Sequence, residues 1–102
     1  MLIGSSSQKP SLHMIRRIKT TLHKALNLPD DATITVAQLV CLEEACSPLE
    51  TVIGLLQPTR PQQQHKIHKA TDHIDANDLV DVCEAWGFTI QKTVITSIFK
   101  EN

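Results

Sequence analysis

The 102-residue sequence predicts an α+β fold: a two-layer αβββα domain with a three-stranded antiparallel sheet and two helices packed on one face. Three observations predict it. Two segments carry apolar residues at helical spacing. Three segments between them have the composition or alternation of strands. The connections between those strands are too short for a helical crossover, which favours antiparallel hairpins.

The elements follow in order. Residues 1–10 are small and polar apart from Leu2 and Ile3, and read as a flexible N-terminal tail. Ser11 is the expected N-cap of a first helix. Leu12, Ile15, Ile18, Leu22 and Leu26 form its apolar stripe, and Asn27-Leu28-Pro29 ends it because proline disfavours helical geometry at the residue before it. Thr33–Cys41 is rich in β-branched residues and reads as the first strand, with Ile34, Val36, Gln38 and Val40 on one face. Residues 43–48 form a loop, and Thr51–Gln57 reads as the second strand, where Gly54 marks a bulge or a close approach. Pro58–Pro61 is a turn, and Gln63–Lys69 a polar third strand suited to a sheet edge. Asp75, with Asp78 three residues on, starts a second helix whose stripe is Leu79, Val82, Cys83 and Trp86 and whose C-cap glycine is Gly87. The domain is expected to span residues 11–87. Residues 88–102 are expected as a C-terminal extension, extended at Phe88–Ile90 and then helical through Val94, Ile95, Ile98 and Phe99.

Composition excludes several classes. Ten basic and 11 acidic residues leave a formal net charge of −1, which argues against a polyanion-coating protein and against an acidic disordered tail. Aromatics are 3%, too few for a base-stacking platform. No apolar run reaches the ~20 residues of a membrane helix, and the start is too short for a signal-peptide core, so a cytoplasmic protein with no membrane partner is expected. The charge is nevertheless segregated. Residues 1–28 hold Lys9, Arg16, Arg17, Lys19 and Lys24 and no acid; residues 29–58 hold Asp30, Asp31, Glu43, Glu44 and Glu50 and no base. Such a surface either pairs with itself or orients a partner.

Cys41, Cys46 and Cys83 are too few, and odd in number, for a disulfide framework. Cys83 lies on an apolar helix face and reads as a small hydrophobe. Cys41, Cys46, His65 and His68 together spell C-x4-C-x18-H-x2-H, a candidate zinc set. The fit is imperfect, because structural zinc sites usually place about three to five residues between the histidines. On a regular strand His65 and His68 also point to opposite faces. The plain alternative packs Cys41 inward and lets Cys46-Ser47-Pro48 shape the loop. Glu50 is expected to accept loop amides or to pair with Lys66 or Lys69 across the sheet, and a functional alternative makes Glu50 and His68 an acid–base pair. No phosphate-cradling, dinucleotide, nucleophile-elbow or zincin motif is present.

Asn27–Val36, the run Cys41-x-Glu43-x-x-Cys46-x-Pro48-x-Glu50-Thr51-Val52-Ile53, and Lys66-Ile67-His68-Lys69 resemble a small family of uncharacterised bacterial proteins of about this size. In that family the loop carries Pro-Gly where Glu44-Ala45 stands here, and a proline where Ser47 stands. The resemblance spans roughly residues 12–85. It implies an αβββα core, brings no activity, and draws attention to Cys41, Glu43, Cys46, Glu50, Thr51, Lys66, His68 and Lys69.

Three functional readings follow. The first is a non-enzymatic protein-interaction module that binds another protein or itself, using a polar edge strand and the charged residues Arg16, Arg17, Lys19, Lys24, Glu43, Glu50, Lys66 and Lys69. The second is a metal-binding or thiol-redox accessory protein built on Cys41 and Cys46 with His65 or His68. The third is nucleic-acid binding through the basic first helix.

Overall fold

The computed structural model describes residues 10–40 and 49–101. Among the described residues it is an α+β domain of three helices and one three-stranded antiparallel sheet, in the order α1 (Leu12–Ala25), β1 (Thr33–Val40), β2 (Leu49–Gln57), β3 (Arg60–Ile67), a 3-10 turn (Thr71–His73), α2 (Ala76–Ala85) and α3 (Lys92–Glu101). The expected tail, residues 1–9, and the loop residues 41–48 lie outside the described residues.

Local chemistry sets the ends of the first two helices. Ser11 Oγ accepts from the Met14 amide at 3.1 Å and caps α1. Its C-terminus closes on Asn27, whose φ of 51° turns the chain left-handed. The Asn27 and Leu28 amides then reach the carbonyls of Lys24 and His23, the paired bonds of a Schellman end. Asp75 and Asp78 form a reciprocal capping box at the start of α2, each accepting the other's amide at 3.0 Å. Gly87, at φ 88°, ends α2 in the same way as Asn27 ends α1, with Phe88 donating to the Cys83 carbonyl at 2.9 Å.

β2 is central, pairing antiparallel with β1 from Thr33↔Leu56 to Val40↔Leu49 and with β3 from Thr51↔Ile67 to Gln57↔Arg60. The turn is tighter than the sequence suggests: only Pro58 and Thr59 lie between the strands, so β3 begins at Arg60 and contains Pro61. An outer strand tolerates proline because its outward amide needs no partner. The register irregularity falls between Leu55 and Gln57, and Gly54 is paired in register with Thr35 and Gln64. Of the two expectations for Gly54, close approach is the one observed: a Cβ there would lie 2.5 Å from Thr35 Oγ1.

All three helices share one side of the sheet's core. α1 lies against β1, α2 against β3, and α3 packs on both α1 and α2. Ile34, Ile53, Leu55 and Ile67 of the sheet meet Ile18 and Leu22 of α1, Leu79, Val82 and Cys83 of α2, and Ile95 and Phe99 of α3. Each fully buried aliphatic side chain contributes roughly 1.5–3 kcal/mol. Residues 88–101 of the segment expected as an extension beyond the domain therefore close the same core: Ile95 is wholly buried and Arg17 Nε donates to the Phe99 carbonyl at 2.7 Å. No helix among the described residues is long and apolar enough to cross a membrane.

Candidate functional site

Glu50 and Thr51 are consecutive on β2, so strand alternation sends their side chains to opposite faces of the sheet. Two polar clusters result, at the end of the sheet where β1 runs out and β2 begins.

Thr51 faces the core and is fully buried. Its hydroxyl donates to the Lys69 carbonyl at 2.8 Å and lies 2.9 Å from the hydroxyl of buried Thr71. A hydroxyl has one proton, so Thr71 is the donor in the second bond. The Thr71 amide in turn donates to Gln38 Oε1 at 2.8 Å. This chain of bonds ties β1, β2, the segment after β3 and the 3-10 turn together, and each bond satisfies a group that burial would otherwise penalise. Gln38 was visible in sequence as the polar residue on the otherwise apolar face of β1; Thr71 carried no comparable signal.

On the other face Glu50 Oε2 lies 3.4 Å from Lys66 Nζ, and Oε1 lies 3.3 Å from His68 Nδ1. Of the two lysines expected opposite Glu50, the structure selects Lys66. The Glu50 side chain is 11% exposed, while Lys66 and His68 are 53% and 65% exposed. Solvent screens such pairs, and each is worth under about 1 kcal/mol.

Lys69 turns instead to α2, with Nζ 2.9 Å from Asp78 Oδ2 and 3.8 Å from Asp75 Oδ2. Its hydrogen bond to Asp78 raises its pKa above the ordinary lysine value. The Asp78 amide donating to Asp75 holds the Asp75 carboxyl below the usual range, and the Lys69 charge adds to this. The capping box and the lysine thus form one unit that pins the chain after β3 onto the start of α2.

The other sequence-derived residues do not join these clusters. Cys41, Glu43 and Cys46 lie outside the described residues. His65 pairs opposite Ile53 and shares the helix-covered face with Ile67, whereas His68 contacts Glu50 on the far face. The strand thus separates the two histidines of the candidate zinc set. Among the described residues no group of three or more His, Cys, Asp or Glu side chains is gathered for a metal. Cys83 is buried and its thiol is pushed up to about 11 by that burial, the state of a packing residue. Arg16, Arg17, Lys19 and Lys24 all lie on α1.

β1 and β3 form the two edges of the sheet. β3 carries Arg60, Pro61, His65 and Lys66, the residue types that blunt an edge. β1 is Thr-Ile-Thr-Val-Ala-Gln-Leu-Val, eight residues with neither charge nor proline. Leu39 and Val40, on opposite faces of its end, are 48% and 49% exposed. No family model, curated protein or solved structure matches this chain.

Proposed function

We propose that this chain is a small non-enzymatic interaction module that associates by strand addition at β1, and that the added strand is β1 of a second copy. The observation that carries the reading is the uncharged edge Thr33–Val40. Strand addition supplies main-chain hydrogen bonds along such an edge, and Leu39 and Val40 give it apolar surface to bury. A second copy is the occupant the chemistry favours. Its β1 brings no charge to desolvate, and an isologous antiparallel pairing keeps both helix layers on the same side. A formal net charge of −1 opposes such association only weakly.

Sedimentation equilibrium tests the proposal. The wild type is expected to show a concentration-dependent dimer that persists in high salt. Ala37→Lys puts a charge on the exposed middle of β1 and should leave a folded monomer. Gln64→Lys, on β3, should leave the dimer unchanged. A wild type that stays monomeric at every concentration, or an Ala37→Lys variant that dimerises like it, overturns the proposal.

A further inference from the structure

The exposed flank of α1 carries a second, independent feature. His13, Arg16, Arg17 and Thr20 recur at i, i+3, i+4 and i+7, so they stack along one side of the helix, where they line a groove of about 160 Å³ open to solvent. Arg17 is not a loose surface cation. Its Nε is bound to the Phe99 carbonyl at 2.7 Å, and its guanidinium carbon sits 3.9 Å from the centre of the Phe99 ring. Hydrogen bond and stack together fix the guanidinium plane and leave its two terminal nitrogens uncommitted among the described residues.

Nothing on the helix neutralises this group. α1 has no acidic residue. Its four cations, Arg16, Arg17, Lys19 and Lys24, form no ion pair among the described residues. The contrast with Lys66 and Lys69 is direct, since both of those meet a carboxylate. α2, by comparison, carries Asp78 in its first turn, where the helix dipole favours an anion.

We propose that this groove binds an oxyanion of the phosphate class. Arg17 offers a fixed two-nitrogen fork, Arg16 a second guanidinium, Thr20 a hydroxyl and His13 a ring nitrogen. Donors arriving from several directions suit a tetrahedral group better than a planar carboxylate. The site takes one phosphate group. It does not track a polymer backbone, because Lys19 lies outside the lining and the cations are not continued by an aromatic platform.

The test is a backbone-amide NMR titration of the full chain with inorganic phosphate, the ionic strength held constant with sodium chloride. Saturable shifts confined to residues 13–20 and the Phe99 region are expected. Arg17→Gln and Arg16→Gln should each weaken binding by roughly tenfold, the loss of a charge-assisted contact. Arg17→Lys, which keeps the charge without the fork and the stack, should fall well short of wild type. Lys19→Gln should leave the affinity unchanged. Arg16 is exposed, so its variant tests the proposal even where Arg17→Gln loosens the packing of α3. Shifts that do not saturate, that sodium chloride alone reproduces, or that saturate with wild-type affinity in Arg16→Gln overturn it. A single-stranded oligonucleotide that binds more tightly than phosphate and extends the footprint to Lys19 and Lys24 also overturns it, assigning the surface to a polymer instead.

Discussion

The two edges of the sheet are built from opposite kinds of residue. β3 is charged, contains a proline and is anchored. Lys66 and its neighbour His68 are held by Glu50, and the chain leaving β3 is held twice, by Thr51 on the Lys69 carbonyl and by Asp78 on the Lys69 ammonium. β1 is uncharged and ends in two half-exposed aliphatic side chains. An edge strand offers unpaired amides and carbonyls to any other strand, and proteins restrict this with lysine, proline or irregular register. Here β3 carries all three, since the register slips at Leu55–Gln57, and β1 carries none. One edge is charged and anchored and the other is uncharged, and that asymmetry is the basis for proposing association at β1.

Experiments can sharpen the contrast. The largest effect on stability is expected from Thr51→Val. It keeps the shape but removes a buried hydroxyl serving two partners, leaving the Lys69 carbonyl and the Thr71 hydroxyl short of a bond, at a cost of about 2 kcal/mol. Urea denaturation measures the loss, and hydrogen exchange should show faster opening in β3 than in β1. Equal acceleration in both strands would mean that the anchoring is not local to β3.

Glu50→Gln should have a smaller effect, about 1 kcal/mol, because the cations it releases are already exposed and stay hydrated. Its oligomeric state should match the wild type. New association in this variant would show that the Glu50 pairs, and not the strand's own residues, keep β3 closed.

The smallest effects concern pH. Asp75 has a lowered pKa in the fold, so its contribution is present above the ordinary carboxylate value and is lost as pH falls through that range. Lys69 has a raised pKa, so its contribution is present below the ordinary lysine value and is lost as pH rises beyond it. Cys83, pushed up to about 11, works in the same direction as Lys69: burial of the neutral thiol stabilises below the ordinary thiol value and less so as pH climbs toward 11. Stability measured by denaturant midpoints should be flat through neutrality and fall at both ends. Cys83→Ala should remove part of the alkaline decline, and an unchanged alkaline limb would exclude the thiol as its source.

Much of the fold was legible because its signals are local. The stripes on α1 and α2, the caps at Ser11 and Asp75 and the glycine end at Gly87 each depend on residues within a few positions of one another. The β-branched run of β1 and the short connection expected at Pro58–Pro61 made an antiparallel pairing the simple solution. The start of β3 at Arg60 was less legible, because Pro61 reads as part of the turn and only pairing with Gln57 on β2 places Arg60 in a strand. The left-handed end at Asn27 is local, set by its own and Leu28's amides on Lys24 and His23, but asparagine marks such an end less sharply than glycine does. The polar residues singled out in the sequence divide accordingly. Glu50, Thr51, Lys66, His68 and Lys69 gather at one end of the sheet, yet they form separate clusters on different surfaces.

The amino-acid sequence alone determined the order and type of the main elements, since periodicity and capping act over a turn or a strand. Only the tertiary structure decided that Lys66 meets Glu50 while Lys69 meets Asp78, that α3 completes the core, and that Arg17 is fixed on Phe99. Long charged side chains reach several partners at similar cost, and the choice among them is made by the sheet register and helix packing that bring distant segments within a few ångströms.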